Sequence, residues 1–227
     1  MKAALMIVLG VLTGIGSASA EKFVYRGEAK FAYGFSSHMV IQRDTEANVW
    51  GYADPDSPVE ISIGGQTVAN RADRYGKWLV QLSPMKAGGP YTMQLKSGST
   101  CVELEDVLFG DVWICSGQSN MRYGLSRRAG KGEDAPYIYQ DELDSLRKQT
   151  SFPIRHVMDL RGKFDWLKVT HENVVDEKKN PPGVTAVGYF FAKHLREDIG
   201  DVPIGIIQTG SGGKAIRHCT PWPRSGA

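Results

Sequence analysis

Three cysteines in 227 residues are too few for a disulfide framework, and none sits in a Cys-x-x-Cys pair or a His/Cys cluster. That excludes the paired-cysteine zinc modules, and neither a metal nor any other cofactor is expected here. An excess of one charge is missing too, with 27 Lys and Arg against 25 Asp and Glu. So balanced a chain carries no electrostatic footprint for nucleic acid or an anionic membrane surface. Clusters such as Arg127-Arg128 and Glu177-Lys178-Lys179 are interspersed with acids and glycines and read as solvated surface. Internal repeats and low-complexity stretches are absent, which excludes solenoid and array architectures. Long apolar runs are confined to the N-terminus, and even that run is shorter than the ~20 residues a membrane-spanning helix needs.

That one run has a purpose of its own. Met1-Lys2 supplies a positive end, residues 3–16 an apolar core, and Ser17-Ala18-Ser19-Ala20 the small residues a signal peptidase reads. The expectation is a signal peptide over residues 1–20, cleaved after Ala20, and a secreted or periplasmic protein with no membrane attachment afterwards. Roughly 200 residues then remain, enough for one large domain or two small ones. The odd set Cys101, Cys115 and Cys219 allows one pair and one thiol, and spacing does not say which. Cys115 lies inside an apolar segment and reads as a core thiol.

Residues 21–107 have the pattern of an all-β sandwich. Short β-rich segments at 49–52, 59–63, 77–82, 91–95 and 101–104 are separated by turn signals at Asp54-Pro55-Asp56, Gly64-Gly65, 73–76 and 86–90. Gly64-Gly65 predicts a tight hairpin. Trp50 and Trp78 read as inward core residues rather than sugar-stacking platforms. From residue 108 to 227 the pattern turns α/β. Val107 to Cys115 is a strand, Tyr139 to Lys148 a helix with Leu143 and Leu146 on one side, and Ile154 to Met158 a strand. The polar stretch 161–182 reads as a surface loop. Val184 to Ile199 predicts a helix with Val184, Val187, Phe191, Leu195 and Ile199 on its apolar face, closed by Gly200. Ile204 to Ile207 is a buried strand leading into Gly210-Ser211-Gly212-Gly213. Strand, helix, strand in that order implies a right-handed parallel crossover.

The chemistry concentrates where Val112-Trp113-Ile114-Cys115 ends abruptly in Ser116-Gly117-Gln118-Ser119-Asn120. Open parallel sheets bind ligands at the carboxyl ends of their strands, and a serine on a strand-to-turn junction stands exposed there. Ser119 is therefore the candidate nucleophile, although the run is not a Gly-x-Ser-x-Gly elbow. Ester hydrolysis also needs donors for the oxyanion. The Ser119 amide is one, and the Gly212-Gly213 turn, with no Cβ in the way, offers another.

Gly117-Gln118-Ser119-Asn120-Met121, preceded by Gly110 to Ser116, resembles the nucleophile block of the sialate O-acetylesterases, carbohydrate esterases of the SGNH hydrolase superfamily. Further similar blocks follow in the family's order: Phe35 to Arg43, Val49 to Ala53, Asp73 to Trp78, Met85 to Tyr91, and Ala186 to Phe191. The resemblance implies a β-sandwich followed by a flavodoxin-like three-layer SGNH domain, of which 108–227 is the first, incomplete part. It implies an O-acetylated carbohydrate as substrate, with sialic acid first, and an oxyanion role for Gly212 or Gly213.

Departures accompany the resemblance. Ser211 stands where the family usually has Trp, Lys214 and Arg217 where Thr and Glu are common, and Arg122 where an acid is common. The family's Gln-Gly-Glu and Asp-x-x-His blocks, which supply oxyanion donors and the general base, do not occur before Ala227. The expectation is a fragment of a longer esterase, inactive alone. His38, His156, His171 and His194 read as surface or packing residues, and His218 as the nearest to a substitute base. Two alternatives stand beside the sialate esterase. One is an esterase of acetylxylan or another acetylated polysaccharide; the other is a catalytically dead remnant that binds a glycan or a partner.

Overall fold

The computed structural model describes residues 24–130, 134–151, 153–158, 165–175 and 184–209. Eleven strands and three α-helices occur in it, so the described chain is mostly β. The small sheet has the antiparallel order β1-β3-β6, from Lys30–Phe31, Ala47–Tyr52 and Lys77–Leu82. The large sheet runs β10-β9-β11-β8-β7-β4-β5, with β2 also beside β8. Its strands are β2 (Val40–Gln42), β4 (Pro58–Ile63), β5 (Gln66–Arg71), β7 (Gly88–Ser97), β8 (Thr100–Cys115), β9 (Ile154–Met158), β10 (Leu167–Lys168) and β11 (Ile204–Gln208).

Strand β8 connects the two halves of the molecule. Over residues 100–109 it pairs antiparallel with β7, and over 111–115 it pairs parallel with β11. The switch of partner falls close to residue 108, where the sequence pattern changes. There Gly110 lies so close to Pro203 that a Cβ would sit 2.0 Å from the Pro203 carbonyl oxygen. Beyond Gly110 the side of β8 away from β11 is paired by no strand among the described residues, and Ile114 is 70% exposed.

One buried cluster fills the space shared by both sheets, with Val49, Trp78, Val80 and Leu82 from the small sheet facing Ile61, Met93, Leu95, Val107 and Phe109. The β4 and β5 strands join through Gly64 and Gly65, with φ of 57° and 84°. This is the two-residue hairpin the glycine pair predicts, since both central residues need positive φ. Trp78 is buried as expected, but Trp50 is 45% exposed and points outward. The reason is alternation along β3: Val49 and Gly51 face inward, and the Trp78 indole lies over Gly51, where a Cβ would meet it at 2.5 Å. An inward Trp50 would compete for that volume.

A second cluster lies on the other side of β11. It joins Ile204 and Ile206 to α1 (Gln140–Lys148), α2 (His171–Val175) and α3 (Ala186–Ile199). Leu143 and Leu146 of α1 are buried as their spacing predicts. Helix α3 forms where expected, and its apolar stripe is buried in part: Val184 is in the core, and Leu195 and Ile199 pack against it. Ala186, Gly188, Tyr189 and Ala192 are buried, whereas Val187 and Phe191 are 51% and 41% exposed. Small residues let the helix axis approach the sheet closely; a Cβ on Gly188 would stand 3.3 Å from the Cys115 Sγ. Phe191 instead packs edge-on against Trp113, with ring centroids 5.0 Å apart.

Residues 165–175 correct the expected loop, because they hold β10 and α2. Trp166 is buried and drives this order: its indole N–H donates to the Gly34 carbonyl at 3.1 Å, and its backbone N–H to Ser36 Oγ at 2.8 Å. A buried Trp that satisfies its N–H this way ties a polar segment down. No helix among the described residues is long and apolar enough to cross a membrane.

Candidate active site

Parallel strands β9, β11 and β8 end in register, with Gln208 opposite both Cys115 and Met158. Three carboxyl ends thus lie side by side, the location where open sheets hold their ligands. Immediately after Cys115 the chain turns through Ser116 to Gln118 and enters one 3-10 turn, Ser119–Arg122. The Met121 N–H donates to the Gln118 carbonyl at 3.0 Å, and the Tyr123 N–H to that of Asn120 at 3.1 Å. Ser119 opens this turn and is exposed. Gly117 permits the tight path: a Cβ there would be only 3.3 Å from that of Met121.

The turn is anchored from beneath. Gln208, fully buried, donates its amide N–H to the Met121 carbonyl at 3.0 Å. Its Oε1 faces the His156 Nε2 at 2.9 Å. The Thr185 hydroxyl donates to Met121 Sδ at 3.7 Å, and the Ala186 N–H to the Tyr123 carbonyl at 2.8 Å. Strand β11 and the start of α3 therefore hold the segment that carries Ser119. After β11, the Thr209 N–H donates to the Cys115 carbonyl at 3.1 Å, so the chain leaves β11 beside the same strand end. Gly212, Gly213 and His218 lie outside the described residues, as does Cys219.

The four described histidines have other partners. His38 Nδ1 lies 2.9 Å from Asp106 Oδ2, and His194 Nδ1 3.2 Å from Glu197. His171 Nε2 accepts from Arg147 Nε–H at 2.9 Å. His156 sits in the middle of β9, buried, with its bond to Gln208. None supplies a base to Ser119 among the described residues. Cys115 is half-buried, and burial pushes its thiol above the ordinary cysteine value. Cys101 and Cys115 are both free thiols. The described residues contain no group of three or more His, Cys, Asp or Glu that would hold a metal ion.

Sequence reading placed Ser119 but missed Gln208 and the use made of His156. The available signal was one amide side chain closing the apolar run Ile204 to Ile207. A polar group at such a position needs a buried partner.

His156 yields a prediction. Burial lowers its pKa to about 4, only partly offset by the Gln208 bond. The unfolded chain takes up a proton near pH 6.5 that the folded chain refuses until about 4. Stability therefore falls as pH drops through that window, by about 3 kcal/mol in all, and the loss levels off below it. Urea unfolding at pH 7 and pH 4.5 should show His156→Gln losing distinctly less stability than the parent. Equal losses would contradict it.

Comparisons with known proteins place the chain among carbohydrate acetylesterases. A family model described as "Carbohydrate esterase, sialic acid-specific acetylesterase" matches residues 109–226. Sialate O-acetylesterase of Homo sapiens is 30% identical over 204 residues, 82% of this chain and 38% of that protein. The Mus musculus protein of that name is 29% identical over 204 residues, covering 82% of this chain and 36% of its own length. Among solved structures, a carbohydrate acetylesterase from Xanthomonas citri superimposes with a TM-score of 0.70 at 30% identity, over 83% of this chain and 41% of that one. The chain thus spans well under half the length of the relatives it matches.

Proposed function

This chain belongs to the carbohydrate esterase family of sialic acid-specific acetylesterases, and from that premise we propose that Ser119 is the nucleophile of ester hydrolysis on an O-acetylated sugar. The observation that carries the reading is an exposed serine hydroxyl on a tight turn, at the carboxyl ends of three registered parallel strands. Support for an SGNH-type layout comes from the parallel order β9-β11-β8 with α1 and α3 packed beside it; the core shared by the two sheets supports a sandwich over residues 21–107.

In this mechanism Ser119 Oγ forms a bond to the acetyl carbonyl carbon while its proton passes to a general base. The carbonyl π electrons move onto oxygen, and the Ser119 N–H donates to that oxyanion, with Gly212 and Gly213 as further donors. Collapse breaks the bond to the sugar oxygen, which takes the proton. Water then adds to the acetyl-serine, releasing acetate and restoring the hydroxyl. The base belongs to residues other than the four described histidines; its help is typically worth ~10²–10⁴-fold. Sialic acid is the first substrate to test and acetylated polysaccharide the second. The apolar N-terminus and its Ala20 site support secretion or periplasmic export, where such glycans are met.

Acetate release from p-nitrophenyl acetate and from O-acetylated sialic acid, for the parent and for Ser119→Ala, tests the proposal. Any turnover of the parent is expected to disappear with the hydroxyl. Turnover that survives the substitution removes Ser119 as nucleophile. A parent without turnover favours the glycan-binding remnant.

A further inference from the structure

The geometry points to Gln208 and His156 as positioning residues for the serine turn: a buried chain, His156 Nε2–H to Gln208 Oε1 and Gln208 Nε2–H to the Met121 carbonyl, sets the direction of the Ser119 hydroxyl. This deepens the nucleophile assignment and rests on it.

A single 3-10 turn has little stability of its own, because its hydrogen bonds are few and poorly aligned. Ser119–Arg122 contains no buried residue, so packing does not hold it either. From the core, the Gln208 amide reaches the turn's backbone, and the Thr185 hydroxyl reaches only the Met121 sulfur, a weak acceptor. Met121 lies two residues after Ser119, so the bond to its carbonyl fixes the rotation of the turn about the end of β8.

The amide itself is oriented without ambiguity. A side-chain amide facing a backbone carbonyl must present its N–H, which leaves Oε1 toward His156. His156 must then carry its proton on Nε2. Among the described residues its Nδ1 is buried without a partner, so the ring's hydrogen-bonding capacity serves Gln208 alone. Burying an imidazole with one nitrogen unpaired costs more than burying a leucine of similar volume. Here it sets a donor under Gln208, which then cannot flip. The chain runs from β9 through β11 to the turn after β8, crossing the three strands whose ends form the site.

Amide hydrogen exchange read by mass spectrometry on the full chain tests this without requiring catalysis. Gln208→Met keeps the volume and removes both bonds. It should speed exchange in the peptide covering 118–123 by roughly 10–100-fold while peptides of β3, β4 and β6 stay unchanged. His156→Leu should do the same more weakly. His156→Gln, which retains a donor near the Nε2 position, should restore protection. Unchanged exchange at 118–123, equal acceleration in every peptide, or failure of His156→Gln to differ from His156→Leu would each overturn the proposal. In acetate release, Gln208→Met should lower kcat by about 10–100-fold with KM within about twofold, as expected for a misaimed nucleophile. A parent chain without turnover favours the catalytically dead remnant and leaves the exchange result to decide the positioning role.

Discussion

Asp106→Ala is expected to destabilise the chain by about 4 kcal/mol, read as a large drop in the urea midpoint without a change of slope. Asp106 sits at φ 54°, where β8 bulges against β7 between the Met93–Leu104 and Tyr91–Val107 pairs. The bulge turns its carboxylate to two cations and an imidazole at once: Lys168 Nζ at 2.7 Å, Arg155 at 3.2 Å and His38 Nδ1 at 2.9 Å. Arg155 is buried. Removing a buried ion's counter-charge is far costlier than losing a surface pair, at about 3–5 kcal/mol. Alanine also tolerates the left-handed conformation poorly, which adds ~1 kcal/mol.

Two further variants separate these costs. Asp106→Asn keeps a residue that accepts positive φ and loses only the charge, so it should cost distinctly less than alanine. Asp106→Gly relaxes the backbone and still removes the Asp106 charge from beside Arg155. If Asp106→Ala unfolds within 1 kcal/mol of the parent, this cluster does not hold β8, β9 and β10 together.

Acid should weaken the same cluster. Burial pushes the Asp106 carboxyl up, but hydrogen bonds from Lys168 and His38 and the charge of Arg155 hold it below the ordinary value of 3.8. Its contribution is present above that ordinary value and disappears as pH falls through the lower, folded one. This loss lies below the His156 window, so the two are separable.

Gly110→Ala is the other large effect, and the chain is expected to fold poorly or not at all. The new Cβ would lie 2.0 Å from the Pro203 carbonyl oxygen and 2.7 Å from its carbon. Both are backbone atoms, so no side chain can move aside. Relief requires β8 and β11 to separate where the Asp111 N–H donates to that same oxygen at 2.9 Å. Overpacking costs typically ~1–3 kcal/mol where side chains can shift, and more is expected here. Soluble expression and the urea midpoint check it. A midpoint close to the parent's would show that the β8–β11 junction is looser than its geometry.

Gly117→Ala provides an internal control for that argument. Its Cβ would be 3.3 Å from the Met121 Cβ, a side-chain atom on an exposed turn, so relaxation is available.

Much of this architecture is legible in local pattern. The Gly64-Gly65 hairpin, the Leu143 and Leu146 face of α1, and the buried run Ile204 to Ile207 all depend on residues a few positions apart. Positive φ, a period of 3.6 and an apolar run are short-range properties, and they survived into the fold unchanged. The turn at Ser119 is of the same kind, since an apolar strand followed by small and amide residues turns wherever it is placed.

Errors arose where a side chain's surroundings come from a distant segment. Trp50 reads as a core residue on hydrophobicity, but Trp78, 28 positions on, occupies that volume over Gly51. Helix α3 has an apolar stripe by spacing, yet the sheet takes Ala186, Gly188, Tyr189 and Ala192, and Val187 and Phe191 of that stripe stay exposed. Residues 165–175 look polar and loop-like, and only the meeting of Trp166 with Gly34 and Ser36 orders them.

Sequence alone determined most of the order of elements outside 165–175, the family, and which hydroxyl stands at a strand's end, because each is encoded in neighbours along the chain. Tertiary structure decided that Gln208 and His156 lie under that hydroxyl's turn, and that Asp106 gathers Lys168, Arg155 and His38 at the joint of two pairings. Those facts depend on register between segments 49 to 87 residues apart, which loop closure and shared packing select and no local pattern records.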